Sequence, residues 1–178
     1  MNDQVDVEKK RLMFISGEDF YFLAYSIFVI LECLGSKNER YFKDHRKLAF
    51  LIPALSNEDL VGIFQRNKGK VIANGLDKDL VKDLYHEGVS SQGEITKLLM
   101  MLEKKEYLIL RKGSESEAID VSLSKKVFGK GLIEKKFFNK EFRNCAEIKR
   151  LFPRLSVLRL DTLLEGMFEE RGIARWGF

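Results

Sequence analysis

The stretch Met101–Ser124, MLEKKEYLILRKGSESEAIDVSLS, limits the possible folds more than any other part of the chain. The end of an amphipathic helix runs directly into two short β-type segments, Tyr107–Arg111 and Ala118–Leu123, joined by a polar turn at 112–117. Side chains alternate along a strand, so Leu108 and Leu110 share one face, as do Ile119, Val121 and Leu123. An isolated two-stranded ribbon is marginal in water. Its apolar face must therefore close the open side of a helical core. Two helices, a turn, a third helix and a ribbon is the order of a winged helix-turn-helix. The expected class is mainly α with a small β wing: a winged helix-turn-helix with N-terminal and C-terminal helical extensions. The competing reading is an unrelated α+β domain in which a helix happens to precede a hairpin.

Five helices are expected before the ribbon. Ser16-Gly17-Glu18-Asp19 offers a start for the first, and Phe20–Leu34 (FYFLAYSIFVILECL) is apolar nearly all round, which calls for burial on several sides. That burial is supplied by a central place in the core or by a partner chain. The run has 15 residues and contains Glu32, too short to span a bilayer, so no membrane association is expected. A second helix fits Glu39–Leu55, with Pro53 ending or kinking it. Ser56-Asn57-Glu58-Asp59 caps a third, through about Asn67. The GKVIANG segment, Gly69–Gly75, reads as a strand or turn. A fourth helix spans Asp77–Glu87 and stops at Gly88, and a fifth begins at Ser90-Ser91 and carries a stripe of Ile95, Leu98, Leu99 and Leu102. The domain plan is an irregular segment at 1–17, a helical and winged-helix region at 18–125, and a basic C-terminal extension at 126–178.

Charge bears on the partner. The chain of 178 residues carries a formal +4, which permits nucleic-acid contact without demanding it. Between Ser124 and Arg154 ten Lys and Arg face three acids, a local excess larger than that of the whole chain. Its lysines, among them Lys125, Lys126, Lys130, Lys135 and Lys136, are able to track phosphates without reading sequence. The alternative is a solvated basic face. KDHRKLAFLIPAL, Lys43–Leu55, places Lys43, His45, Arg46 and Lys47 ahead of an apolar helix, either as a polar helix start or as a basic edge for an acidic partner or DNA backbone.

Base readout is a poor match. Projected at about 100° per residue, the face opposite the Ile95 stripe carries Gly93, Thr96, Lys97, Met100, Met101 and Lys104. It lacks the Arg and Asn that best read base edges, and exposed Met suits adaptable protein contacts. The wing tip holds one base and two acids. These features favour a winged helix used for assembly over one used as a transcription regulator, which is the competing function. A regulator would set Lys97 and Lys104 toward DNA.

The search for chemistry is negative. His45 and His86 stand in no ligand spacing, the two cysteines form no motif and fit a reducing cytoplasm, and the GKG at Gly129–Gly131 is not a phosphate loop. No enzyme, metal, cofactor or small-molecule substrate is expected.

The apolar N-terminal helix, the D-x-RKL-x-FL pattern (Asp44, Arg46, Lys47, Leu48, Phe50, Leu51) and the ending LLMMLEKKEYLIL together resemble a family. Over residues 18–125 the chain is similar to the middle component of bacterial ABC-three-component systems and to the small accessory subunit of Lamassu-type anti-phage and anti-plasmid systems. The basic region and tail after 125 lie outside the likeness. The resemblance implies a non-enzymatic, kite-like subunit that binds an SMC-like or Rad50-like ABC ATPase. It helps to hold an effector, often a nuclease, inactive until foreign DNA is sensed, with non-specific DNA contact within the complex. It points to Phe20, Phe28, Leu31, Met100, Met101, Trp176 and Phe178 as partner contacts. Lys43, Arg46, Lys97, Lys104 and the lysines of 125–136 are then contacts to DNA or an acidic partner.

Overall fold

The computed structural model describes residues 20–128, 133 and 137–176. The expected irregular segment 1–17, the start signal at 16–19, and Lys130, Lys135, Lys136 and Phe178 lie outside the described residues. Helix α1 covers 20–33, followed by a short 3₁₀ turn, His45–Lys47, which continues into α2, Leu48–Ser56. Next come α3, Glu58–Arg66, and α4, Gly75–Lys104. The ribbon is β1, Leu108–Lys112, and β2, Ile119–Leu123. A single turn, α5 (Lys125–Phe128), then α6 (Asn139–Leu151), α7 (Leu160–Met167) and a final 3₁₀ turn, Glu169–Arg171, complete the described chain.

The fold is mainly helical with a small antiparallel ribbon, as its patterning implies. β1 and β2 pair with Leu108 opposite Leu123 and Leu110 opposite Val121, so the expected apolar faces coincide. The helix reaches the ribbon through a tight C-terminal cap. Glu106 adopts φ +62° while its N–H bonds the Glu103 carbonyl and the Tyr107 N–H reaches back to Leu102. Those two bonds satisfy the end of α4 and reverse the chain at once, which is why no linker separates helix and strand. On its other edge β2 pairs with Phe42, whose N–H and carbonyl bond the Val121 backbone at 2.8 and 2.9 Å.

Three expectations are corrected. The second helix does not begin at Glu39: Tyr41 and Phe42 are extended, because Phe42 is recruited as a one-residue strand. α2 runs through Pro53 to Ser56, the proline lying within the helix. The fourth and fifth helices are one helix of 30 residues. Gly88 does not stop it. A Cβ at that position would stand 2.2 Å from a ring carbon of Phe50, so the missing side chain lets α2 and α4 come into contact. The third helix is as expected, with the Asn57 side chain accepting from the Asp59 and Leu60 amides.

Residues of the C-terminal extension do not form a separate layer. Ile148, Phe152, Leu163, Leu164 and Phe168 belong to the same buried cluster as α1, α2, α4 and the ribbon. Phe168 meets Tyr85 and Phe50 with ring centroids 5.0 and 5.8 Å apart. The buried Asn144 amide donates to the Leu55 carbonyl at the end of α2.

Candidate interaction surfaces

The basic motif 43–47 folds inward. Asp44, at φ +60°, accepts from the Arg46 amide and receives the Arg46 guanidinium on both oxygens at 2.8 and 2.7 Å. Arg46 also reaches Glu115 on the ribbon turn, 2.6 Å away. Lys43 bonds the buried Asp120 of β2 at 2.7 Å, and Asp120 accepts besides from the Asp44 amide and from Arg111. Burial alone would raise the Asp120 pKa, yet Lys43, the Asp44 amide and Arg111 together hold it below the usual carboxylate range. Lys43 and Arg46 are therefore neutralised within the chain, which corrects the expectation of a free basic edge.

His45 and Lys47 point deeper. The Ile119 amide donates to His45 Nδ1 at 3.2 Å. An amide N–H is a donor only, so the imidazole proton sits on Nε2, which faces Thr96 Oγ1 at 2.9 Å, and that hydroxyl donates to the Gln92 carbonyl. Burial lowers the His45 pKa, against the pull of Asp44 and with the push of Arg46. Lys47 is fully buried over the Phe42 ring and donates to the carbonyls of Leu155 and Leu158 at 2.7 and 2.8 Å. Burial outweighs the attraction of Asp44 and Asp120 and brings its pKa down to about 7. Together these side chains tie the motif to the ribbon, to α4 and to the loop before α7.

The expected partner contacts divide. Phe28 and Leu31 are corrected to core residues, 5% and 0% exposed, because α1 is covered by this chain's own helices. Phe20 is half-buried, edge-on to the Tyr21 ring. Met100 and Met101 are about half exposed, with Lys97 and Lys104 also on the outside of α4, and Ile109 stands out from β1. Trp176 is 73% exposed while its backbone N–H and carbonyl are both held by the Tyr85 hydroxyl. Lys125 is exposed. Lys126 bonds the Lys105 carbonyl and lies over the Tyr107 ring, so it clasps the end of α4.

Two features escaped the sequence. Cys33 and Cys145, distant in the chain, meet as free thiols between α1 and α6. The hydrogen bond with Cys33, together with burial, pushes the Cys145 thiol up. The larger feature is a groove of about 910 Å³ bounded by α1, the α2–α3 junction and α4. Its walls include Phe22, Ile52, Leu60, Leu80, Leu84 and Ile95, and its rim carries Glu58, Asp59, Asp83, Glu87 and Glu94 against one lysine, Lys140. Spacing along α4 alone does not reveal it, since it depends on three helices meeting and on α4 staying unbroken.

Among the described residues no cluster of three or more His, Cys, Asp or Glu could hold a metal, and no helix is long and apolar enough to cross a membrane. Compared with family models, curated proteins and solved structures, the chain finds no match.

Proposed function

We propose that this chain is a non-enzymatic accessory subunit whose task is assembly: it docks on an SMC-like ABC ATPase in a bacterial anti-phage or anti-plasmid complex and helps couple DNA sensing to an effector nuclease. The observation that carries the assembly reading is the outer face of α4, where Met100 and Met101 are exposed side by side while the most concentrated basic motif of the chain is consumed internally. Flexible, polarizable Met side chains suit a protein partner better than a base edge. The choice of an ATPase rests on the resemblance of residues 18–125. The corresponding fold reading is a winged helix, with α2, α3 and α4 as its helices, β1–β2 as the wing and Phe42 as the short strand at its edge.

The test is co-expression with the products of the flanking genes, followed by native mass spectrometry of what co-purifies. A stoichiometric assembly with a large ABC-type ATPase that is weakened by Met100→Asp/Met101→Asp is the expected result. A lone homodimer that binds one promoter above competitor DNA would replace this reading with that of a regulator using Lys97 and Lys104.

A further inference from the structure

The groove beside α4 has an account of its own, independent of the subunit reading. Positions 76, 80, 83, 87, 90 and 94 follow alternating steps of four and three, the spacing of a helix-packing seam. They are Leu76, Leu80, Asp83, Glu87, Ser90 and Glu94, all on the exposed side of the helix. Leu76 and Leu80 are 78% and 40% exposed, and Phe22 of α1 lies exposed on the facing wall. One end of the seam is thus apolar and the other acidic.

Asp83 and Glu87 stand four residues apart on one helix face, where like charges repel. Among the described residues neither they nor Glu94 makes an ion pair. Glu58, on the opposite rim, is answered by Arg143 of α6. From Leu80 to Ile95 the groove follows α4 for roughly 22 Å, at about 1.5 Å per residue, the length of four helical turns.

We infer that this groove is the docking site for a basic amphipathic helix of a partner protein, laid along α4 with apolar side chains against Leu80 and Phe22 and its Lys or Arg against Asp83, Glu87 and Glu94. The charge of the rim excludes nucleic acid as the occupant. It also sets the direction of the docked helix, because apolar and acidic ends of the seam are distinct. Binding relieves the repulsion between Asp83 and Glu87 that the free chain carries.

Fluorescence anisotropy of the full chain with a labelled 18-residue Leu/Lys amphipathic helical peptide, and with a matched Leu/Glu peptide, tests this. The Leu/Lys peptide is expected to bind and to weaken as salt rises from about 0.1 to 0.5 M. The double variant Asp83→Lys/Glu87→Lys should lose at least about tenfold in affinity for it and gain affinity for the Leu/Glu peptide. That variant should melt no lower than the wild type, so a folding defect is excluded as the cause. Met100→Ala/Met101→Ala should bind as the wild type does. Equal affinity for both peptides, indifference to the charge reversal, or no binding of either peptide because the groove is filled by the chain's own N-terminal segment would each overturn the proposal.

Discussion

Glu106 occupies a left-handed conformation at φ +62°, where a side chain costs about 1 kcal/mol relative to glycine. Its carboxylate contributes little in return, reaching Lys126 only at 3.5 Å and at the surface. Glu106→Gly is therefore expected to stabilise the chain by up to about 1 kcal/mol, read from urea unfolding. An unchanged or lowered midpoint would show that the cap draws more from the side chain than the geometry indicates. Gly88 behaves oppositely. Alanine is the better helix former by about 1 kcal/mol, but its Cβ would enter a Phe50 ring already packed against Tyr85 and Phe168. Gly88→Ala should cost about 1–3 kcal/mol net.

The buried ring and ammonium of the 43–47 motif set a pH dependence. The folded pKa of Lys47 lies near 7, and that of an unfolded lysine near 10.4. Between those values the unfolded chain holds more protons, so stability rises as pH increases through the window. Unfolding free energies measured from pH 7 to 9.5 should climb in the wild type and flatten in Lys47→Met, whatever that variant loses overall. The depressed His45 works the same way at lower pH: stability is complete above the unfolded value near 6.5 and falls as the solution is acidified, since a proton on Nδ1 would face the Ile119 amide. His45→Gln should blunt the fall between pH 6.5 and 5.

At the scale of elements, α4 organises the molecule. Its middle contains Gly88, Ser90, Ser91 and Gly93, weak helix formers that on local grounds should end one helix and begin another. It stays continuous because tertiary contact overrides propensity: Phe50 of α2 fills the space at Gly88, and Ile95 and Leu98 are buried behind it. The ribbon was legible for the opposite reason. Its alternation and its hydrogen bonds are local, so five residues on each strand carry the whole signal. Phe42 as a third strand was not legible, because one residue has no period and its partner lies far away at Val121.

For the molecule as a whole, the boundary at 126 is one of charge composition, and packing crosses it. Lys47 binds the carbonyls of Leu155 and Leu158, Asn144 closes the end of α2, and Phe168 completes the ring cluster with Phe50 and Tyr85. A chain truncated after residue 128 should keep much of its helical signal yet bind hydrophobic dye and lose a cooperative melt. A sharp transition in that fragment would restore residues 126–178 as a separate extension.

By itself, the sequence determined which segments are helix or strand where patterns are local: α3 and its Asn57 cap, the ribbon and which residues share its apolar face, the apolar stripe of α4 and the exposure of Met100 and Met101. Those properties follow from side-chain period, capping chemistry and turn chemistry, each spanning a few residues. Only the tertiary structure decided that α4 is unbroken, that Phe28 and Leu31 are covered, that Lys43 and Arg46 are consumed by Asp120, Asp44 and Glu115, and that five carboxylates ring one groove. Each of these depends on residues distant in the chain meeting in space, and such meetings are settled by close packing and charge neutralisation in the core.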